Sequence, residues 1–233
     1  MRKIYIFFMV GFMFAFFSTS FGEEIEERFG GKQKLCYKVR FNGIPAGKVE
    51  WTYLGKVTIG GREANALHID SNTKILEFFN LISKEKVFLD VETHLPIRVE
   101  RDIVFFGKKE LIQEIYNQDE GYVRIIKSNS RTKEEVLRQD KPIHNILSLL
   151  YFFPKDVELK KDTSLVFNLP TQKVIIKVES LKNLSLGEDK RQAVFLIGKG
   201  AKRFNLWLDK QERIPLRLEF PVPLGKIIIL KEN

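Results

Sequence analysis

A nucleophile and a base one helical turn apart, and a repeated aspartate, are the arrangements in this chain that most resemble catalytic ones. His144 and Ser148 have the spacing of a base and its nucleophile, and Asp90 with Asp209 could form a carboxylate pair. A working nucleophile also needs an orienting group and an oxyanion site, and the sequence indicates neither. Turn initiation already accounts for both aspartates. A hydrolase with an unrecognised site is therefore the least favoured function.

Metal and cofactor binding are not indicated either. The other two histidines, His68 and His94, fall in a predicted strand and a predicted turn, without the spacing of metal ligands. The sequence contains no glycine-rich phosphate loop, no G-x-S-x-G motif and no Cys/His cluster. We therefore predict a protein that is not an enzyme and that needs neither a cofactor nor a metal.

The first 22 residues have the pattern of a secretory signal peptide. Arg2 and Lys3 precede an apolar run over residues 4–17, and small residues at 20 and 22 suit cleavage before Glu23. The run is shorter than the roughly 20 residues that a spanning helix needs, although an uncleaved anchor is the alternative. We expect a periplasmic protein whose mature domain is 23–233.

Charge and cysteine content limit the partners of an exported chain. The 39 lysines and arginines outnumber the 30 acidic residues. Because export makes nucleic acid an unsuitable partner, anionic lipid head groups or acidic polysaccharide are the expected counterparts, with peripheral membrane contact as one outcome. The alternation of Lys and Glu is also what solubility alone would favour. Cys36 is the only cysteine, so an internal disulfide is excluded.

Short alternating apolar runs between Asn-Gly, Gly-Gly and Asp-Glu-Gly turns favour an antiparallel, mainly β fold. Two stretches also repeat: FLDVETHLPIRVE at 88–100 and WLDKQERIPLRLE at 207–219. In each, Asp90 or Asp209 can start a turn, and Pro96 or Pro215 can enter the next strand near its beginning. We therefore predict curved sheets or an open barrel, built from two related halves near 33–127 and 163–233.

One or two short helices are expected beside the strands. The first half carries about ten extra residues around 72–82, where Ser71, Asn72 or Thr73 could cap a short helix. A helical segment, 140–153, joins the halves, with Pro142 in its first turn and Pro154 ending it. Its apolar character favours a position in the core, and a ligand-covering element is the alternative.

Four stretches in order resemble the bacterial exported proteins grouped as domain of unknown function 3108. They are the opening strand and turn at 35–47, the first repeat at 88–98, the helix at 145–151, and the second repeat at 207–217 followed by Gly225. The chain departs from that pattern at Asn145, where the family has Asp, and at Phe153, where an Arg often follows the helix tyrosine. The resemblance implies a β-rich envelope protein without an established activity. The strand, Asp, turn, Pro, strand order is also similar to the curved sheets of periplasmic lipoprotein-carrier proteins.

These observations lead to two main functional hypotheses. The first is a non-catalytic envelope protein that binds a lipid or another apolar ligand, because its 20 phenylalanines lie among basic residues. The second is a scaffold or assembly factor for outer-membrane or exopolysaccharide components that acts through protein contacts. Asn145, Ser148, Tyr151 and Trp207 are the candidate ligand-cover or family-signature positions.

Overall fold

The structure is a computed structural model that describes residues 34–75, 79–146, 149 and 158–232. The predicted signal peptide lies outside the described residues and stays a prediction. Fourteen strands make up nearly all of the described chain: β1 (Lys34–Phe41), β2 (Ile44–Ile59), β3 (Arg62–Ile75), β4 (Phe79–Asp90), β5 (Pro96–Phe105), β6 (Lys108–Asn117), β7 (Tyr122–Ser128), β8 (Thr132–Arg138), β9 (Ser164–Leu169), β10 (Gln172–Leu186), β11 (Asp189–Lys199), β12 (Arg203–Asp209), β13 (Pro215–Val222) and β14 (Gly225–Lys231).

All fourteen strands belong to one open antiparallel sheet. Their order is β8-β7-β6-β5-β4-β3-β2-β1-β14-β13-β12-β11-β10-β9. The two halves therefore share a single sheet, and they meet where β1 pairs with β14, with Val39 opposite Ile229. The prediction of a mainly β, antiparallel fold is confirmed.

The sheet curls around one interior. Alternate side chains along the strands are buried, as a period of two requires. Buried residues from both halves, such as Tyr37, Leu89, Phe167 and Ile229, belong to the same apolar cluster. Because strands from distant parts of the sheet contribute to one core, the sheet must bend towards that core. We call the side of the sheet that faces this core the interior face, and the opposite side the outer face.

The short helix predicted around 72–82 is wrong in the described residues. β3 continues to Ile75 and β4 begins at Phe79, with Thr73 opposite Leu81 across the pair. Ser71 and Thr73 are buried while Asn72 and Lys74 are exposed. This alternation suits a strand and does not occur on a helix. The extra residues of the first half thus lengthen a hairpin, whose tip at 76–78 lies outside the described residues.

The segment that joins the halves is only partly helical in the described residues. Helix is assigned at Ile146 and Leu149, and the Leu149 amide donates to the Asn145 carbonyl at 3.1 Å. Residues 140–145, which the sequence placed in the helix, are not helical. Ile143 instead forms a bridge with Asn168 of β9. The rest of the predicted helix, at 147–148 and 150–153, lies outside the described residues.

That segment connects the turn after β6 to the far edge of the sheet. The Ile143 amide donates to the Gln118 side-chain oxygen at 3.0 Å, and Gln118 Nε2 donates to the Ile143 carbonyl at 2.8 Å. The His144 amide donates to the Asn168 carbonyl of β9 at 2.7 Å. Ile143, Ile146 and Leu149 are buried in the common core. The two halves are therefore joined on a second side, away from the β1–β14 pair.

Both copies of the repeat form the same turn. Asp90 Oδ1 accepts the Thr93 amide at 2.8 Å, and Asp209 Oδ1 accepts the Glu212 amide at 2.8 Å. Each aspartate also accepts the amide two residues ahead, at 3.1 and 2.8 Å. These bonds lower the pKa of Asp90, because they favour the charged carboxylate over the burial that opposes it.

The backbone of the two turns agrees residue by residue. His94 and Arg213, at matching positions, both adopt the left-handed conformation, with φ of 58° and 57°. Each aspartate amide donates to a carbonyl five residues ahead, at 2.9 and 2.7 Å. Pro96 and Pro215 then lie opposite Leu89 and Leu208, and a bulge follows directly after each proline. The two similar stretches of sequence therefore form the same type of turn in both halves.

A buried charged cluster as the candidate functional site

Three charged side chains lie on the interior face of the first half. Glu85 of β4 is directly opposite Arg101 of β5, and Arg101 Nε donates to Glu85 Oε2 at 2.8 Å. The guanidinium also donates to Glu114 Oε1 of β6 at 2.5 Å. The side chains are 1%, 9% and 11% exposed, so one cation sits between two carboxylates out of contact with bulk water.

Burial and charge shift the pKa values in this cluster in opposite directions. Burial raises the pKa of Glu85, and the Arg101 guanidinium only partly offsets that rise. Burial on its own would lower the pKa of Arg101, but the two carboxylates raise it above its ordinary value. Arg101 therefore stays charged, and a proton in the cluster would go to a carboxylate.

Hydroxyl groups surround the charges. Tyr116 donates to Glu114 Oε2 at 2.5 Å, and Ser83 donates to Glu85 Oε1 at 3.2 Å. Burial and the nearby Glu114 raise the pKa of the Tyr116 hydroxyl, so it remains a donor. Ser71 lies directly opposite Ser83 on β3, and Thr73 follows it on the same face.

Ser71 and Thr73 differ from the other hydroxyls of the cluster. Both are buried, with 3% and 0% of their surface exposed. Neither hydroxyl has a hydrogen-bond partner among the residues that the structure describes. A buried hydroxyl without a partner costs about 1 to 3 kcal/mol, so such a pair calls for an explanation. Both hydroxyls are available to form hydrogen bonds with a polar group that enters the interior beside Glu85.

The second half has an apolar wall at the corresponding places. With the offset of the repeat, Glu85 corresponds to Phe204 and Arg101 to Phe220, which are 7% and 6% exposed. Glu114 lies opposite Val99, and the residue opposite the matching Leu218 is Ile229. Two phenylalanines and an isoleucine thus fill the space that the first half gives to three charges.

The same strand arrangement also accommodates apolar side chains at these positions, as the second half shows. Taking ions out of water costs several kcal/mol each, and buried ion pairs replaced by apolar residues of similar volume are often neutral or stabilising. A charged cluster retained in such a place, next to unpartnered hydroxyls, is the strongest candidate binding site in the described structure.

The site residues expected from the sequence are not in this cluster. Asn145 is buried at the start of the helical turn, while Ser148 and Tyr151 lie outside the described residues. Trp207 is on the outer face, stacked with Phe195 at 4.7 Å between ring centroids and with Arg217 over its ring at 5.1 Å. The four repeated positions, Asp90, Pro96, Asp209 and Pro215, form the two turns described above.

His144 occupies an apolar environment. Its ring packs edge to face against Phe167 at 5.3 Å, and burial lowers its pKa to about 4. The described residues contain no group of three or more metal-ligating side chains. Within the same residues, no helix is long and apolar enough to cross a bilayer. Because Ser148 lies outside the described residues, the pairing of His144 with Ser148 stays a hypothesis.

A groove of about 560 Å³ on the outer face is the other concave feature described. Its walls include His68, Lys84 and Lys86, and its charged groups form short-range pairs. His68 is 2.9 Å from Asp70, and Asp102 is 2.8 Å from Lys109. The first pair lies within β3 and the second joins β5 to β6, and such pairs are usual on the solvent face of a sheet. The groove therefore carries less weight than the cluster.

The cluster has a signature in the sequence, although that signature is not a known motif. In β4 the buried positions read Leu81, Ser83, Glu85, Val87 and Leu89. A glutamate in the buried phase of an alternating strand is unusual, because carboxylates are rarely buried without a partner. Aligning the repeat a few residues further would have placed that glutamate against Phe204.

Comparison with known proteins supports the fold. A crystal structure titled as a beta-barrel-like protein of domain of unknown function DUF1849, from Brucella abortus, is similar to this chain. The TM-score is 0.55 at 9% sequence identity, and the match covers 85% of this chain and 94% of that one. No family model matches the sequence, and no curated protein does. The chain therefore has the fold of a β-barrel-like domain, and its resemblance to domain of unknown function 3108 stays a prediction.

Proposed function

We propose that this is a non-catalytic exported protein of the cell envelope that binds a lipid-like ligand inside its curled sheet. The charged cluster on one wall of an otherwise apolar interior is the observation that carries the proposal. An amphiphile needs an apolar wall for its chains and a few convergent polar groups for its head. The periplasmic location and the membership of family 3108 belong to the same proposal and rest on the signal peptide and the motifs of the sequence.

The polar end of the ligand would lie against β3–β6. There it meets the carboxylates of Glu85 and Glu114 and the hydroxyls of Ser71 and Thr73. Because carboxylates outnumber the guanidinium two to one, this wall favours hydrogen-bond donors such as hydroxyl or amine groups. The apolar part would lie against the second half, where Phe204, Phe220 and Ile229 line the interior.

Native mass spectrometry of residues 23–233, purified from an envelope extract without harsh detergent, tests the proposal. We expect bound mass that organic solvent extracts as lipid. The double variant S71A/T73V should lose most of that mass without losing stability, because it removes hydroxyls that have no described partner. Thr58→Val, on an exposed part of β2, is the matched control and should keep the ligand.

Two results would overturn the proposal. One is a clean apo mass that stays unchanged after candidate lipids are added. The other is equal retention of ligand by wild type and by the S71A/T73V variant, which would place any bound lipid away from the cluster.

A scaffold that acts through protein contacts is the second candidate. β8 is an edge of the sheet in the described part of the chain, and Val136 on it is 52% exposed. An edge strand can accept a strand of another protein. A photo-reactive amino acid at Val136 would crosslink to a specific envelope protein in this case. Absence of such a product, together with extractable lipid, would favour the ligand-binding function.

A further inference from the structure

Three exposed apolar side chains lie along one edge of the sheet. This edge is made by the described turns β1–β2, β5–β6, β7–β8, β9–β10, β11–β12 and β13–β14 together with the strand ends beside them, and we call it the apolar-basic edge. Ile44, Phe106 and Leu224 stand in or beside these turns and are 61%, 56% and 85% exposed. Turns of a soluble protein are normally polar, because their backbone and side chains face water. Large apolar residues at three turns of one edge indicate a surface that is covered in use.

Hydrogen bonds hold these turns in place. Asn42 Nδ2 donates to the Leu224 carbonyl at 3.2 Å, and Asn42 Oδ1 accepts the Lys226 amide at 2.8 Å. The β1–β2 and β13–β14 turns therefore lie side by side. The Phe106 amide donates to the Asn80 carbonyl at 3.2 Å, which fixes the β5–β6 turn to the start of β4. The apolar tips are presented by rigid hairpins.

The charge of this edge is positive. Its turns contain no acidic residue apart from Glu77, in the hairpin tip at 76–78 that lies outside the described residues, and Glu110 and Glu134 lie within three positions of a turn. Exposed basic residues within the same distance are more numerous. They include Lys74, Lys108, Arg131, Lys202 and Arg203.

The turns at the opposite edge of the sheet contain more acidic than basic residues. They carry Glu92, Asp119, Glu120, Glu188 and Glu212, against Lys210 and Arg213. None of the large exposed apolar residues of the described chain belongs to them. The exposed apolar turn residues and an excess of basic charge thus lie at one end of the strands, and an excess of acidic charge lies in the turns at the other end. Solubility alone would not require that separation.

We propose that the apolar-basic edge docks on the surface of an anionic lipid bilayer. Anionic head groups attract lysine and arginine near the surface, while apolar tips enter the boundary between head groups and chains. Either contribution alone is weak, and the edge supplies both at the same place. The docking is independent of whether the interior holds a ligand, because none of these residues lines the interior face.

Vesicle co-sedimentation tests the docking. The mature protein is mixed with phosphatidylcholine vesicles, with or without phosphatidylglycerol, at low and high salt. We expect sedimentation with the anionic vesicles and its loss in high salt, because exposed charges are then screened. The variant K108E/K202E should weaken partition by roughly fivefold or more for each charge. K190E/K210E changes one residue beside a turn and one residue within a turn of the opposite edge; it is the charge control and should sediment like wild type.

The apolar contribution has its own pair of variants. I44S/F106S/L224S should sediment less with anionic vesicles, while L54S/L181S removes exposed apolar residues from the middle of strands and should not. Equal sedimentation with neutral vesicles, or an equal loss in test and control variants, would overturn the proposal. Salt-sensitive binding to an acidic polysaccharide such as alginate, without binding to vesicles, would assign the edge to that partner instead.

Discussion

The two halves of the sheet share their turns and their outer faces but differ in what they bury. On the outer face, Arg98 contacts Glu100 at 2.6 Å, and Arg217 Nε donates to Glu219 at 2.8 Å at the matching places. On the interior face, the first half buries Glu85 and Arg101 where the second buries phenylalanines. The shared features are those that build the hairpin. The feature that differs is the one that can select what enters the core.

The features that the two halves share belong to the fold, whereas the charged cluster found in one half is the candidate for function. The partly exposed pair of Arg98 and Glu100 contributes little, about 0 to 1 kcal/mol. In the second half Glu219 is more buried, but the pair keeps the same position on the outward side of the strand. A buried cluster is costly to assemble and is sensitive to the loss of one partner. We infer that apolar side chains at these interior positions, as in the second half, are sufficient for the fold. The charged cluster of the first half is then an addition that serves another purpose.

The largest expected effect comes from removing the cation. Arg101→Leu leaves two buried carboxylates facing each other and should lower the free energy of unfolding by about 3 to 5 kcal/mol. Because protonation of those carboxylates relieves the repulsion, the loss should shrink as the pH falls. Urea denaturation at neutral and at acidic pH measures both. Arg98→Leu, on the outer face, is the control, and an equal loss there would contradict a special role for the cluster.

Making the first half resemble the second should have the opposite effect on stability. The variant E85L/R101M/E114L/Y116F replaces the cluster by apolar groups and should be neutral or gain about 1 to 4 kcal/mol. It should also lack the bound lipid that we expect native mass spectrometry to detect on the wild type. A folded variant that keeps its ligand would show that the cluster does not bind it, and an unfolded one would show that the cluster supports the fold.

The segment between the halves should make stability depend on pH. The pKa of His144 is about 4 in the folded chain and about 6.5 when unfolded, so the unfolded state binds more protons between these values. Its contribution is therefore complete above the unfolded pKa and is lost as the pH falls towards the folded one. Going from neutral pH to about 5 should cost about 2 kcal/mol, and His144→Gln should remove that part of the dependence. Identical pH profiles of the two proteins would contradict this account.

The smallest effect tests the feature that the halves share. Asp90→Ala and Asp209→Ala each remove a carboxylate that accepts two turn amides, and each should cost about 1 to 2 kcal/mol. The loss at Asp209 should be the larger, because Asp209 is 3% exposed while Asp90 is only partly buried. Thermal unfolding of the two variants ranks them. A much larger loss at Asp90 would break the equivalence of the turns.

The sequence predicts the shared architecture better than the site. Alternation and the repeated Asp and Pro are local signals, so the strands and the two turns follow from neighbouring residues. The helix expected at 72–82 failed because Ser71 and Thr73 are good capping residues in isolation. In the fold they occupy inward positions of β3, and pairing with β4 overrides that preference.

The cluster depends on contacts that no local pattern contains. Glu85, Arg101 and Glu114 are more than ten residues apart in sequence and meet only because β4, β5 and β6 are adjacent. Charged residues are frequent in this chain, so the sequence alone does not distinguish these three from the others. Only the register of the hairpins shows which ones face inward.

The pairing of β1 with β14 has a consequence for how the molecule is made. The first and last described strands lie side by side in the middle of the sheet, about 190 residues apart in sequence. While the chain emerges during synthesis, β1 has no partner on that side until β14 has been made. We expect the pairing of β1 with β14 to be slow. Until it occurs, the unpaired edge of β1 should be the region most accessible to chaperones and most prone to mispairing.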